Sequence, residues 1–166
     1  MSSPAMISID RPELADTDRL VELWLALVCD QRRYGTALLA DENEDVVRER
    51  FAFLRTIDGV RVATVDDTIV GFVTFERRPD AFAYDTAAGV IQNLFVEEAY
   101  RGRGIGSQLL EAAETILTDR GADRIRLEVL IQNERARSFY VEHGYEPQRI
   151  TLEKGPKIDT ANGSDA

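Results

Sequence analysis

Apolar residues along this chain recur at two spacings, and the switches between them mark its elements. Met6 to Asp10 alternates apolar with polar residues and predicts a short first strand. Asp16 or Thr17 can cap a helix running to about Cys29, with Leu20, Leu23, Trp24, Leu27 and Val28 on one face. Gln31 to Glu44 is polar and small, contains Gly35, and reads as a loop. Asp45 to Leu54 predicts a second helix with Val46, Val47, Phe51 and Leu54 inward. Val60 to Val65 and Ile69 to Phe75 are β-branched, apolar runs joined at Asp66-Asp67, the mark of a hairpin. Arg77 to Thr86 is a loop holding Pro79, and Ala88 to Val96 is a central strand. Ile105, Leu109, Ala112, Ala113, Ile116 and Leu117 fall at helical spacing, and Gly121 ends that helix. Arg124 to Leu130 predicts a strand, Asn133 caps a helix from Glu134 to about Glu142 closed by Gly144, and Tyr145 to Glu153 predicts a final strand.

Strands followed by strand–helix–strand units predict an α/β fold of the α+β type: one domain over residues 1–154 around a mixed sheet, with about four flanking helices. The path from Val96 through the long helix to Arg124 suits a parallel crossover. Residues 155–166 are polar and small and read as a disordered tail. The 166 residues suffice for a core without staples. No apolar run approaches membrane-spanning length, and the N-terminus lacks a basic region followed by an apolar stretch, so neither a membrane nor secretion is expected. One cysteine, Cys29, excludes an internal disulfide, and with one histidine it cannot form the usual zinc site. The expected setting is a reducing cytoplasm without a metal.

Thirty acidic against 20 basic residues give a net charge of −10, which argues against nucleic acid as a partner. Only Lys154 and Lys157 are lysines; the other 18 basic residues are arginines. This acidic, lysine-poor composition fits solubility in a salt-rich, halophile cytoplasm, and fits a GC-rich genome as well.

The segment with the most specific chemistry is the strand ending Leu94-Phe95-Val96, the turn Glu97 to Tyr100, and Arg101-Gly102-Arg103-Gly104-Ile105-Gly106 opening a helix. Glycines at every second position leave a row of backbone N–H groups unshielded, and the helix directs its positive end at the same place. This is a seat for a phosphate-bearing ligand. A P-loop would continue Gly-Lys-Ser/Thr, whereas this chain continues Gly106-Ser107-Gln108. A dinucleotide fingerprint would need glycine where Ser107 stands. What remains is Arg-x-x-Gly-x-Gly, met by Arg101, Gly104 and Gly106.

Between a strand and an amphipathic helix, this pattern resembles the acetyl-CoA signature of the GNAT N-acetyltransferase superfamily. Downstream, Leu127 to Tyr145 is similar to the family's closing motif: a strand leading to Asn133, a short helix carrying Ala136 and Phe139-Tyr140, then Gly144-Tyr145. The resemblance covers about residues 60–153 well and the first 55 only by pattern. It implies a mostly antiparallel sheet whose parallel strand pair splays to admit the pantetheine arm. It implies acetyl transfer from acetyl-CoA to a primary amine of a small molecule or peptide, by direct attack without an acyl-enzyme. By the same resemblance, the backbone of Leu94, Phe95 and Val96 pairs with pantetheine and offers an oxyanion donor. Arg101, Gly102, Arg103, Gly104, Ile105, Gly106 and Ser107 hold the pyrophosphate, Asn133 approaches the coenzyme, and Tyr140 is the acid for the departing thiolate. Glu128, twelve residues before Tyr140, stands where some members carry the base. Gln92 and Asn93 stand where other members carry a carboxylate, which puts a base on that strand in doubt. The family usually has two strands after the position of Gly144; a single one leaves an edge that is short or completed by a second subunit in a homodimer.

Plainer readings stand beside these. Leu94, Phe95 and Val96 are core residues at the same time, Arg103 can be a solvated charge, and Tyr140 an aromatic packed on the sheet. Asn133 is equally a helix cap. Glu128 can be a carboxylate at a solvated edge, with a water relay taking the amine's proton. Cys29 reads as a small buried apolar residue and His143, beside Gly144, as structural. A non-catalytic acyl-CoA-binding or regulatory module would keep the same coenzyme seat, and another acyl donor would fit the same motif. Asp41, Glu42, Glu44 and Asp45 lie in the stretch that usually covers the acceptor groove, where they can attract a cationic amine or be a solvated face.

Overall fold

Asp66 and Asp67 both take left-handed backbone angles, φ 47° and 64°, and turn β2 (Val60–Val65) into β3 (Thr68–Arg77). Positive φ at both central residues matches the right-handed twist of the strands, and aspartate tolerates it better than most side chains. In this computed structural model, which describes residues 4–78 and 82–155, that hairpin is the centre of a five-stranded sheet of order β1-β2-β3-β4-β5. β1 (Ile7–Asp10), β2, β3 and β4 (Ala88–Val96) pair antiparallel, and β5 (Arg124–Leu127) pairs parallel with β4. The chain forms two compact units, Met1–Asn133 and Glu134–Ala166. Pro79 and residues 156–166, in the predicted loop and tail, lie outside the described residues.

Alternation along the strands builds two layers. Phe72 and Phe95 face α1 (Thr17–Gln31) and α2 (Glu44–Thr56), forming a core with Leu20, Leu23, Trp24, Leu27, Val28, Val47, Phe51 and Leu54. Phe51 meets Phe72 edge to face at 5.5 Å. On the other face α3 (Ile105–Asp119) buries Leu109, Leu110, Ala113 and Leu117. Two glycines let it lie close. A Cβ on Gly89 would stand 2.9 Å from Leu117, and one on Gly71 would stand 2.7 Å from the Phe95 carbonyl and 3.3 Å from Leu109.

Several expectations are corrected. Val46 is 63% exposed, because the buried stripe runs Val47, Phe51, Leu54 and the residue before Val47 points about 100° away. Cys29 is exposed for the same reason, one position past Val28 on α1. Leu110 joins the buried face of α3, while Ala112 and Ile116 are half-buried. The residues expected to cap α1 serve the turn before it: Asp16 accepts from the Glu13 backbone at 2.7 Å, and the Thr17 hydroxyl donates to the Leu14 carbonyl at 2.8 Å.

Asp58, at φ 54° between α2 and β2, fastens the end of the sheet remote from the glycine turn. Its carboxylate pairs with Arg11 at 2.9 Å, Arg61 at 2.6 Å and Arg120 at 2.9 Å, so β1, β2 and the C-terminal end of α3 share one anion. Hydrogen bonding from Arg61 leads the effects that hold this carboxyl below its ordinary pKa, against the opposing pull of burial.

In the second unit α4 (Glu134–Glu142) ends at Gly144, where φ is 89° and the N–H donates to the Val141 carbonyl at 3.0 Å. The strand predicted from Tyr145 to Glu153 is not formed. Pro147 removes a ladder donor, and every residue from 146 to 155 is exposed, so neither face of the segment is buried.

Candidate functional site

β4 and β5 pair from Ala88↔Arg124 to Ile91↔Leu127 and no further. β5 ends at Leu127, three residues before the predicted end at Leu130, while β4 continues to Val96. Over Leu94–Val96 the strand is paired only with β3, through Val73, Phe72 and Gly71. Its alternate N–H and C=O groups on the β5 side therefore border an opening. This is the splay that the sequence resemblance implies.

The opening begins at a β-bulge. Thr74 pairs with Asn93 and Phe75 with Ile91, so Gln92 is an extra residue on β4. Gln92 and Asn93 consequently share the α1/α2 face. The Gln92 amide donates to Glu76 at 2.7 Å, and the Asn93 amide donates to the buried Thr74 hydroxyl at 2.9 Å. Arg50 of α2 pairs with the other Glu76 oxygen at 3.0 Å, and Arg78 also donates to Glu76. Burial alone would raise the pKa of Glu76; the bonds from Arg78 and Arg50 outweigh it and lower the pKa. Glu76, Arg50, Arg78 and the bulge escaped sequence reasoning. Their one signal was a pair of polar residues, Gln92-Asn93, breaking alternation in an apolar strand.

At the far end of β4 the chain turns through Glu98–Tyr100 into the glycine segment. Gly102 and Gly104 have φ 76° and 79°, and a Cβ on either would meet nothing within 4 Å. Their glycines thus answer to backbone conformation and leave open space above the N-terminus of α3. That cradle fits a pyrophosphate, which needs converging N–H groups and room. Ile105 is buried by its side chain and adds its backbone to the turn. Gly106 and Ser107 follow in the first turn of α3.

The two arginines differ. Arg101 folds back onto β4: its Nε donates to the Val96 carbonyl at 2.8 Å, its guanidinium lies 5.5 Å from the Phe95 ring centre, and it reaches Asp30 of α1 at 3.5 Å. Its side chain braces the strand against the turn. Arg103 is exposed, over the Tyr100 ring at 5.2 Å. Leu94, Phe95, Val96 and Arg101 to Ser107 are thus brought into one continuous strand–turn–helix site.

Glu128 is exposed and follows Leu127 directly, one residue beyond the last β4–β5 pair and so at the mouth of the opening. The structure moves it from the predicted strand interior to the strand's end. Asn133 closes the first unit immediately before α4. In the second unit Tyr140 is half-buried between Phe139 and Tyr145, at ring distances of 5.2 and 5.7 Å. Burial pushes its phenol up to about 12. His143 Nδ1 bonds the Phe139 carbonyl at 2.8 Å, in keeping with a structural role.

Among the described residues no group of acidic, histidine or cysteine side chains could hold a metal, and no helix is long and apolar enough to cross a membrane. The chain is 38% identical over 136 residues to an uncharacterized N-acetyltransferase of Archaeoglobus fulgidus, covering 81% of this chain and 89% of that one. Its fold is shared by an aminoglycoside N-acetyltransferase solved with CoA, with TM-score 0.73, 14% identity, and coverage of 93% and 98%. A "predicted acetyltransferase" of Clostridium acetobutylicum solved with acetyl-CoA gives TM-score 0.71, 19% identity, and coverage of 90% and 96%. A sequence profile described as "Acetyltransferase (GNAT) family" matches residues 20–145, a span that takes in the opened strand pair, the glycine turn and the α4 motif together, and the chain therefore belongs to the GNAT acetyltransferase family.

Proposed function

We propose that the protein transfers an acetyl group from acetyl-CoA to a primary amine by direct attack. The observation that carries this reading is the opening beyond Ile91↔Leu127, continuous with an uncrowded left-handed glycine turn at the N-terminus of α3. In this reading Gly102, Gly104 and the backbone of Ile105, Gly106 and Ser107 bind the pyrophosphate. The thioester arm lies along Leu94 to Val96.

The amine must be neutral to attack. Its nitrogen forms the new C–N bond as the C–S bond breaks, and negative charge passes through the carbonyl oxygen to the sulfur. Backbone N–H groups of β4 beyond the bulge suit the oxyanion, because they are fixed by pairing with β3 and need no reorganisation. Glu128, at the mouth of the opening, is the assigned acceptor for the proton that the amine sheds, with solvent as the competing route.

Tyr140 is assigned to the departing thiolate by the motif around it. A phenol near 12 keeps its proton at neutral pH. The phenol is therefore protonated when the C–S bond breaks and can donate to the charge that develops on sulfur.

The test is a thiol-release assay with acetyl-CoA over a broad amine panel, alongside acetyl-CoA titration by melting temperature. Binding raises the midpoint by linkage. Amine-dependent thiol release supports the enzyme. Tight binding with no release on any amine would instead favour a coenzyme-binding module.

A further inference from the structure

Glu76 is held from three elements: Arg50 of α2, Arg78 beyond the end of β3, and the bulge residue Gln92 of β4. One carboxylate between two guanidiniums leaves the cluster positively charged, in a protein whose net charge is −10. The carboxylate is nearly closed off, at 12% exposure, and its lowered pKa makes it a poor proton acceptor for an amine. Its role is to position its neighbours.

Those neighbours are accessible. Arg50 keeps 39% of its side chain exposed, with one nitrogen on Glu76 and its guanidinium 5.3 Å from the Phe53 ring centre. Held by an edge and a face, this planar fork loses little further freedom on binding, and its remaining N–H groups match a carboxylate. Gln92, having given its amide N–H to Glu76, has its amide oxygen left to accept from an incoming N–H. It stands one residue past the last β4–β5 pair, at the start of the opening. The glycine turn leads to α3 on one face of the sheet, and this cluster lies on the other, beside α2.

We infer that, within the transferase reading, the Arg50–Glu76–Gln92 cluster selects an amine that carries a carboxylate a few bonds from its nitrogen. Arg50 receives the carboxylate and Gln92 steers the amine. Both bond the same carboxylate of Glu76, so the two recognition points stand close together and suit a free amino acid or a peptide with an acidic residue beside its N-terminus. Exposed Asp41 and Glu42, on the loop entering α2, complement the cationic end of such a molecule during approach.

The experiment compares matched pairs with acetyl-CoA: free amino acids against their amides, and tetrapeptides starting Met-Asp or Met-Glu against Met-Asn or Met-Gln. The expected result is at least a tenfold preference in kcat/KM for the carboxylate member of one pair type, which also identifies the source. Arg50→Gln should collapse that preference mainly through KM, and Arg50→Lys should restore part of it. Equal use of both members, or a preference untouched by Arg50→Gln, overturns the inference. Calorimetric titration of the same pairs into the protein saturated with CoA separates the two readings. Carboxylate-dependent binding lost in Arg50→Gln, without turnover of any amine, supports the receptor and sinks the transferase. Absence of carboxylate-dependent binding sinks the receptor alone.

Discussion

Ile91 and Leu127 form the last pair between the two parallel strands, and Gln92 and Glu128 are the first residues of the unpaired stretch beyond it. Gln92 is there because of the bulge; Glu128 is there because β5 stops. If Glu128 takes the amine's proton, Glu128→Gln should lower turnover about 10²-fold at neutral pH. Raising the pH should recover much of that loss as the amine deprotonates in solution. A pH–rate profile like the parent's would remove Glu128 from the mechanism and leave solvent as the proton's route.

Gly104 has φ 79° with open space where a Cβ would stand. Gly104→Val places a β-branched side chain in that space and in a strained backbone region, at a cost of about 1–2 kcal/mol to the fold. Acetyl-CoA affinity should fall at least about tenfold. Titration calorimetry at a temperature where the variant is folded checks this; parent-like affinity would show that the turn is not the phosphate seat.

Tyr140→Phe removes a hydroxyl and little packing, since the rings of Phe139 and Tyr145 still find an aromatic partner. Turnover should drop by about 10²-fold while coenzyme affinity stays near the parent's. Because the phenol lies near 12, the parent's rate should show no loss from tyrosine ionisation below about pH 11. Single-turnover rates across pH check both points, and an unchanged chemical step would reject the role.

Asp58 contributes stability with a defined pH sign. Its pKa is depressed in the folded state, so the contribution is complete above the unfolded value near 3.9 and is lost as pH falls through the lower folded value. Asp58→Asn keeps a residue that tolerates φ 54° while removing the charge shared by Arg11, Arg61 and Arg120. It should cost about 1–3 kcal/mol at pH 7. The gap between parent and variant should narrow below pH 4. Urea denaturation at pH 7 and pH 3 measures it; a gap that does not change would assign the cost to something other than charge.

Residues whose burial follows from spacing alone were legible. The inward face of α1, Leu109, Ala113 and Leu117 of α3, the Asp66-Asp67 turn and the parallel crossover all follow from period and turn chemistry, and the glycine turn follows from residue type at fixed positions. What was not legible depends on partners distant in the chain. A period-2 segment such as residues 145–153 looks the same whether or not a neighbouring strand is present to accept it. The bulge exists because β3 and β4 differ in register, which neither strand carries by itself. Arg101 shows the limit for side chains: its motif position announced a charge beside a phosphate seat, while its guanidinium turns back to the Val96 carbonyl and Asp30. The Glu76 cluster was invisible in the sequence because only folding brings Arg50 and Gln92 to that carboxylate.

The close seating of α3 on the sheet at Gly71 and Gly89 has a metric consequence. Leu109 and Leu117, two helical turns apart, each press on a glycine, so helix and strand cannot slide past one another without a clash. The span from the glycine turn to the bulge is therefore a ruler of fixed length. On the proposed acetyl-CoA reading, a thioester arm anchored at the turn would bring its carbonyl to one graduation along β4, and an arm longer or shorter by a few bonds would overshoot or fall short of it. In that reading, selection by reach would rest on the packing of two leucines.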